Sequence, residues 1–149
     1  MSVSMRALTV LIVEDEALLA MDMEAMVEDC GHVVVGEAAS LDEVRALLHL
    51  NPPDVAFVDI QLAKGQSGLD VSLLIRSRWA KTVIVFVTAN LKILPPDFAG
   101  ARGVIPKPFS RNGLISAMRY IQEVVQAPPP SAPMPVSFIA APPVAPLPI

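Results

Sequence analysis

Five side chains with chemical potential each follow a short apolar run. Glu14 and Asp15 close the run Leu8 to Val13, Asp59 closes Val55 to Val58, Thr88 closes Val83 to Val87, and Lys107 follows Val104-Ile105-Pro106. Three carboxylates at one place repel one another unless a cation compensates. Every candidate ligand is oxygen, which selects a hard divalent cation. Mg²⁺ fits best, because it accepts one or two carboxylates with several waters; Mn²⁺ is the alternative. A cation also lets a dianionic phosphoryl group approach, with Lys107 neutralising one oxygen and Thr88 donating to another. The set suits transfer of a phosphoryl group onto a carboxylate.

Each residue alone has a plainer explanation. Glu14-Asp15 suits a helix start, where acids meet the positive end of the dipole. Asp59 could cap a loop, Thr88 could sit in a turn, and Lys107 could be a surface lysine. Their shared position at the same end of successive strands favours the functional reading.

The elements that must hold these residues alternate. Leu8–Val13 reads as a strand apolar on both faces. Residues 16–30 read as a helix with Leu19, Met23, Met26 and Cys30 on one stripe, stopped by Gly31. A strand over 33–38 follows, then a helix opened by the capping box Ser40-Leu41-Asp42-Glu43 and ended by Pro52-Pro53. Val55–Val58 is the third strand. Ser67 caps a helix bearing Val71, Leu74, Ile75 and Arg78. Val83–Val87 and Val104-Ile105 are strands four and five, and Ser110 caps a last helix with Leu114, Met118, Ile121 and Val125. Strands apolar on both faces belong to parallel sheets covered by helices on each side, with ligands at the carboxyl ends of the strands. The pattern predicts an α/β, doubly wound (βα)5 fold.

Length and composition bound the rest. The chain has 149 residues, 53% hydrophobic and 17% charged, with a net charge of −4. One domain with a sizeable core fits this length. The 11 basic residues form no cluster, which argues against nucleic acid. A lone cysteine, Cys30, excludes an intrachain disulfide or a cysteine metal cage. The first apolar run is too short, and too acidic at its end, for a signal peptide or membrane span. A soluble, cytoplasmic protein without membrane contact is expected. No charge follows Glu123, and nine of the 15 prolines fall between Pro128 and Pro148. Two parts are therefore expected: residues 1–126 as the globular domain and 127–149 as an extended, proline-rich apolar arm.

Over about residues 6–126 the chain resembles the receiver domain of two-component response regulators. The resemblance rests on Glu14-Asp15, on Asp59 within Phe57-Val58-Asp59-Ile60-Gln61-Leu62, on Gly68, on Thr88, and on Lys107-Pro108-Phe109. It implies a five-stranded parallel sheet in order 2-1-3-4-5, with helices 1 and 5 on one face and 2, 3 and 4 on the other. It also implies roles. Asp59 accepts phosphate from a histidine kinase or phosphotransfer protein. Asp15, Asp59 and the backbone carbonyl of Gln61 bind Mg²⁺, with Glu14 acting through water. Thr88, Ala89 and Lys107 meet the phosphoryl group, and Pro108 follows a cis peptide. Gln61 and Asn90 flank the path of attacking water and tune phosphoryl lifetime.

The chain departs from that family in three ways. The switch aromatic three residues before the lysine is replaced by Val104. Residues 91–101 carry Pro95-Pro96, so an irregular fourth helix is expected. Phe86-Val87-Thr88-Ala89-Asn90 is similar to a segment of an alphaproteobacterial subgroup that lacks the aromatic, although Ala89 replaces its glycine. Finally, no output domain follows the last helix, which points to a single-domain regulator acting by protein contact or phosphorelay.

Two rivals stand beside this reading: a phosphatase or phosphotransferase working through an aspartyl-phosphate, and an adaptor independent of phosphorylation. For the arm, exchange between two copies in a homodimer is expected, anchored by Val136, Phe138 and Ile139 and supported by Val144, Leu147 and Ile149. Folding back onto its own domain, or engaging a proline-recognising partner, is the alternative.

Overall fold

The computed structural model describes residues 5–142. Its strands are β1 (Thr9–Val13), β2 (Val33–Ala38), β3 (Val55–Asp59), β4 (Val83–Thr88), β5 (Gly103–Pro106) and β6 (Ile139–Ala140). Its α-helices are α1 (Ala17–Asp29), α2 (Leu41–Leu47), α3 (Gly68–Arg78) and α4 (Arg111–Gln126). The sheet order is β2-β1-β3-β4-β5-β6. The first five strands are parallel and β6 runs antiparallel to β5. Among the described residues no helix is long and apolar enough to cross a membrane.

Two hydrophobic layers follow from strand alternation. Val10, Ile12, Val55, Phe57, Val85 and Val87 face α1 and α4, which contribute Met23, Val27, Leu114, Met118 and Ile121. Leu11, Val13, Ala56, Val58, Ile84 and Phe86 face α2 and α3, which contribute Val44, Val71 and Ile75. Each fully buried aliphatic side chain contributes about 1.5–3 kcal/mol, which makes the central strands the rigid part of the molecule.

Local chemistry sets the boundaries. Gly31 has φ +87°, so α1 stops there. Ser40 Oγ accepts from Glu43 N at 3.1 Å, while the Glu43 carboxylate accepts from Ala39 N at 3.3 Å, one residue earlier than the capping box predicts. Ser67 and Ser110 cap α3 and α4 by accepting from Leu69 N and Gly113 N.

The structure bears out the irregular fourth helix that Pro95-Pro96 predict. Between β4 and β5 there is no α-helix. Two single turns of 3-10 helix, Leu91–Ile93 and Phe98–Gly100, stand in its place. Pro95 and Pro96 remove the donors an α-helix needs. Asn90 and Asp97 cap the two turns through their side chains. Phe98, Ala99 and Gly100 all have positive φ, at 54°, 49° and 83°. A non-glycine residue there costs about 1–2 kcal/mol. Arg76 of α3 holds this strained run by donating to Ala99 O at 3.1 Å.

The described part of the arm adds a sixth strand to the five predicted. The sequence predicts five strands and an arm that leaves for a neighbouring copy. Among the described residues the sheet has six strands, and residues 127–142 lie against their own domain, which is the folding-back alternative. Phe138 is 3% exposed, within the layer formed by α1 and α4. Ile139 pairs with Val104 and Ala140 with Gly103. Val136 is fully exposed. Val144, Leu147 and Ile149 lie outside the described residues. The reason for the return is local fit: Gly103 has no side chain, and the Phe138 ring takes that space.

Candidate functional site

Register places the chemistry. Val13 pairs with Val58, Asp59 with Val87, and Thr88 with Pro106, so β1, β3, β4 and β5 deliver their last residues to one rim. There Glu14, Asp15 and Asp59 each bring a carboxylate oxygen within 4.8 Å of the others. Glu14 and Asp59 are buried, and Asp15 stands more open to solvent. An open basin of about 500 Å³ lies above, lined by Asp15, Glu16, Asp59, Gln61, Ala89 and Lys107.

Lys107 bridges the buried pair. Its Nζ donates to Glu14 Oε1 at 2.8 Å and to Asp59 Oδ2 at 3.2 Å. Burial alone would lower its pKa. The hydrogen bond to Glu14 and the charges of Asp59 and Glu14 outweigh that and raise it above its ordinary value. The lysine is therefore a fixed cation at neutral pH. Asp59 is held at both oxygens, since Gln61 N donates to Oδ1 at 3.1 Å. Glu14 Oε2 accepts from Glu16 N at 3.1 Å. The Lys107–Pro108 peptide is cis.

Thr88 is buried, and its Oγ1 accepts from Asn90 N at 3.1 Å. It is thus engaged in its own turn beside the basin. Asn90 sits at the start of the turn that follows β4. Its side chain accepts from Lys92 N at 3.1 Å and caps the first 3-10 turn, and Ala89 rather than Asn90 lines the basin. Val104 is buried between β4 and β6, in the layer with Phe86 and Ile84, and fills the sheet where the family has a ring.

Gly68 does more than open α3. A Cβ there would lie 2.1 Å from Asp59 O and 2.8 Å from Ile60 Cα. Its amide donates to Ile60 O at 2.7 Å. The loop 61–67 closes by a Gln61–Ser67 bridge and a Leu62 N to Gln66 O bond at 3.1 Å, which brings the glycine back against the acceptor strand. In the sequence Gly68 is only a marker of the helix start. Its role depends on a backbone approach that no local pattern encodes. Glu16, which also lines the basin, carried no signal beyond its place after an acid pair.

The three acids fit a hard divalent cation by donor type, separation and access, with one face open to water.

The family model described as "Response regulator receiver domain" matches residues 10–119. The chain is 44% identical over 123 residues to the phyllosphere-induced regulator PhyR of Methylorubrum extorquens, covering 78% of this chain and 45% of that protein. The solution structure of the PhyR receiver domain from Erythrobacter litoralis has a TM-score of 0.69 at 26% identity, covering 83% of this chain and 95% of that one. PhyR of Bartonella quintana, described as an anti-anti-sigma factor, has a TM-score of 0.64 at 32% identity, covering 79% and 47%. The chain spans about half the length of the curated relatives it matches. Such receiver domains are parts of signalling proteins rather than of classical enzymes. Strand order, acidic rim and family match agree, and the chain belongs to the response regulator receiver domains of two-component signalling.

Proposed function

We propose that Asp59 accepts a phosphoryl group from a phosphohistidine of a histidine kinase or phosphotransfer protein. One observation carries this reading: a buried carboxylate held by Lys107 and Gln61 N at the floor of an open basin, beside two further acids. A carboxylate oxygen of Asp59 forms the new P–O bond as the P–N bond of the donor breaks. The electron pair stays on the imidazole nitrogen, which takes up a proton. The chain supplies position and charge. Asp15 and Asp59, with the carbonyl of Gln61 and with Glu14 through water, would hold Mg²⁺ or Mn²⁺, which offsets the charge of the incoming phosphoryl group. Lys107 neutralises a transferred oxygen in place, and Thr88 leaves Asn90 N to donate to another.

Output is by contact with another protein; the description of the Bartonella relative as an anti-anti-sigma factor supports this. The test is labelling with acetyl phosphate and Mg²⁺, read by intact mass. Native chain should gain one phosphoryl group and Asp59→Asn none. A label that persists in Asp59→Asn on another residue overturns the assignment.

A further inference from the structure

The edge of β5 is the most specific surface outside the acidic site. Three features build it. Gly103 and Val104 pair there with Ala140 and Ile139, and Arg102 O accepts from Ala141 N at 2.9 Å. Phe138 lies against Gly103, where a Cβ would come within 2.3 Å of its ring, and against Tyr120 with ring centroids 5.4 Å apart. Ser137 Oγ donates to Gly113 O at 2.7 Å, on α4.

This arrangement exceeds what covering a sheet edge requires. A cap needs only backbone pairing. Glycine inside a strand weakens it and marks the close approach of another group. Here that group is one aromatic ring from the tail. Backbone pairing plus a side-chain socket is how strand-addition sites recognise extended peptides. The connection to the resident segment is slight. Between Gln126 and Phe138 the side-chain hold on α4 is Glu123, accepting from Ser131 Oγ and Ala132 N, and Ser137; Val136 and Met134 are exposed. Segments held by few buried contacts open locally, without global unfolding.

We propose that the β5 edge with the Gly103 socket is a strand-addition site for a partner protein's extended, uncharged segment bearing an aromatic ring, and that residues 137–141 are its built-in competitor. The resident segment defines the ligand chemistry: a hydroxyl residue, the ring, then small or branched apolar residues, with no charge. A tethered competitor acts at millimolar effective concentration, so it masks the site from weak ligands. The occupied strand also runs directly into Lys107 and pairs with β4 beside Thr88, so a bound partner adjoins the acidic site.

The probe is a synthetic peptide of residues 134–142, titrated into the full chain and its variants. Phe138→Ala, which frees the socket, should bind it about tenfold more tightly than native chain. Adding Gly103→Val to Phe138→Ala should abolish binding, because the valine fills a space left vacant by the ring. Hydrogen exchange on native chain gives an independent readout: the amides of Ile139 and Ala141 should exchange faster than those of Val85 to Val87. Exchange of all of them at one rate would make the tail a fixed part of the fold and overturn the proposal. Equal binding to native and Phe138→Ala chains, or none to either, overturns it too. Self-association that Phe138→Ala abolishes would assign the groove to exchange between copies and remove the separate partner.

Discussion

Replacing Lys107 by methionine tests the electrostatics of the acidic rim directly. The stem is kept and one charge is lost. In the native chain the ammonium meets Glu14 at 2.8 Å and Asp59 at 3.2 Å, and both carboxylates are buried. Removing one partner of a buried ion pair costs about 3–5 kcal/mol, because the remaining charge is left uncompensated. The basin above admits water, so the loss should fall near the lower end, about 3 kcal/mol. A divalent cation can replace the missing charge. A bound cation stabilises whichever chain binds it, so a gap of about 3 kcal/mol closes only if the variant binds the cation roughly 150-fold more tightly than native chain does. The assay is urea unfolding, followed through the single tryptophan, Trp79, which is buried. With chelator, Lys107→Met should lose about 3 kcal/mol relative to native chain. With saturating Mg²⁺ the gap should mostly close, since the cation and the lysine compete for the same oxygens. The pH dependence has a defined sign. Lys107 is raised above 10.5, so its contribution is complete below that pH and is lost as pH rises through the folded value. A variant as stable as native chain in chelator would refute the reasoning. So would Mg²⁺ stabilising the two chains equally.

Other perturbations probe separate links. Gly68→Ala places a Cβ against the carbonyl of Asp59 itself, so it should cost about 1–3 kcal/mol in urea unfolding and slow labelling by acetyl phosphate; a stable variant that labels normally would refute the close approach. Glu37 is raised to about 7 by its hydrogen bond to Glu24, by burial, and by the charges of Glu24 and Glu28. Its contribution is complete below pH 4.5 and lost as pH rises through about 7, so Glu37→Gln should flatten the urea midpoint across that window, and an unchanged slope would count against the pairing. His32 is lowered by burial and accepts from Leu8 N at 2.9 Å through Nδ1. Its contribution is present above pH 6.5 and lost as pH falls below that value; His32→Gln should remove this slope, and its persistence would point to another group.

The parallel sheet was legible because each central strand is apolar on both faces, a pattern few other arrangements accept. The rim was legible because Glu14, Asp59, Thr88 and Lys107 each follow such a run, and a parallel sheet sends those ends the same way. The irregular connection after β4 was visible in Pro95-Pro96. What escaped was long-range fit. Phe138 could be named as an anchor from its apolar setting, but its socket is Gly103, 35 residues earlier. Nothing near either residue encodes the pairing. Likewise Asn90 looked like a basin residue by position. Whether its amide turned toward the basin or toward Lys92 N depended on a turn geometry that spacing does not fix.

The two margins of the sheet are unequal, and this sets a valence for assembly. β2 presents six residues along an outer edge, with Val33 51% and Val35 37% exposed. The opposite margin ends in β6, which among the described residues offers only two. A strand that short is a poor template for further pairing. A sheet with one usable margin can join one neighbour, edge to edge, and the junction then closes as a two-fold pair. While β6 holds the second margin, edge-to-edge growth stops at that pair, and a partner strand that displaces residues 137–141 ends the sheet in the same place.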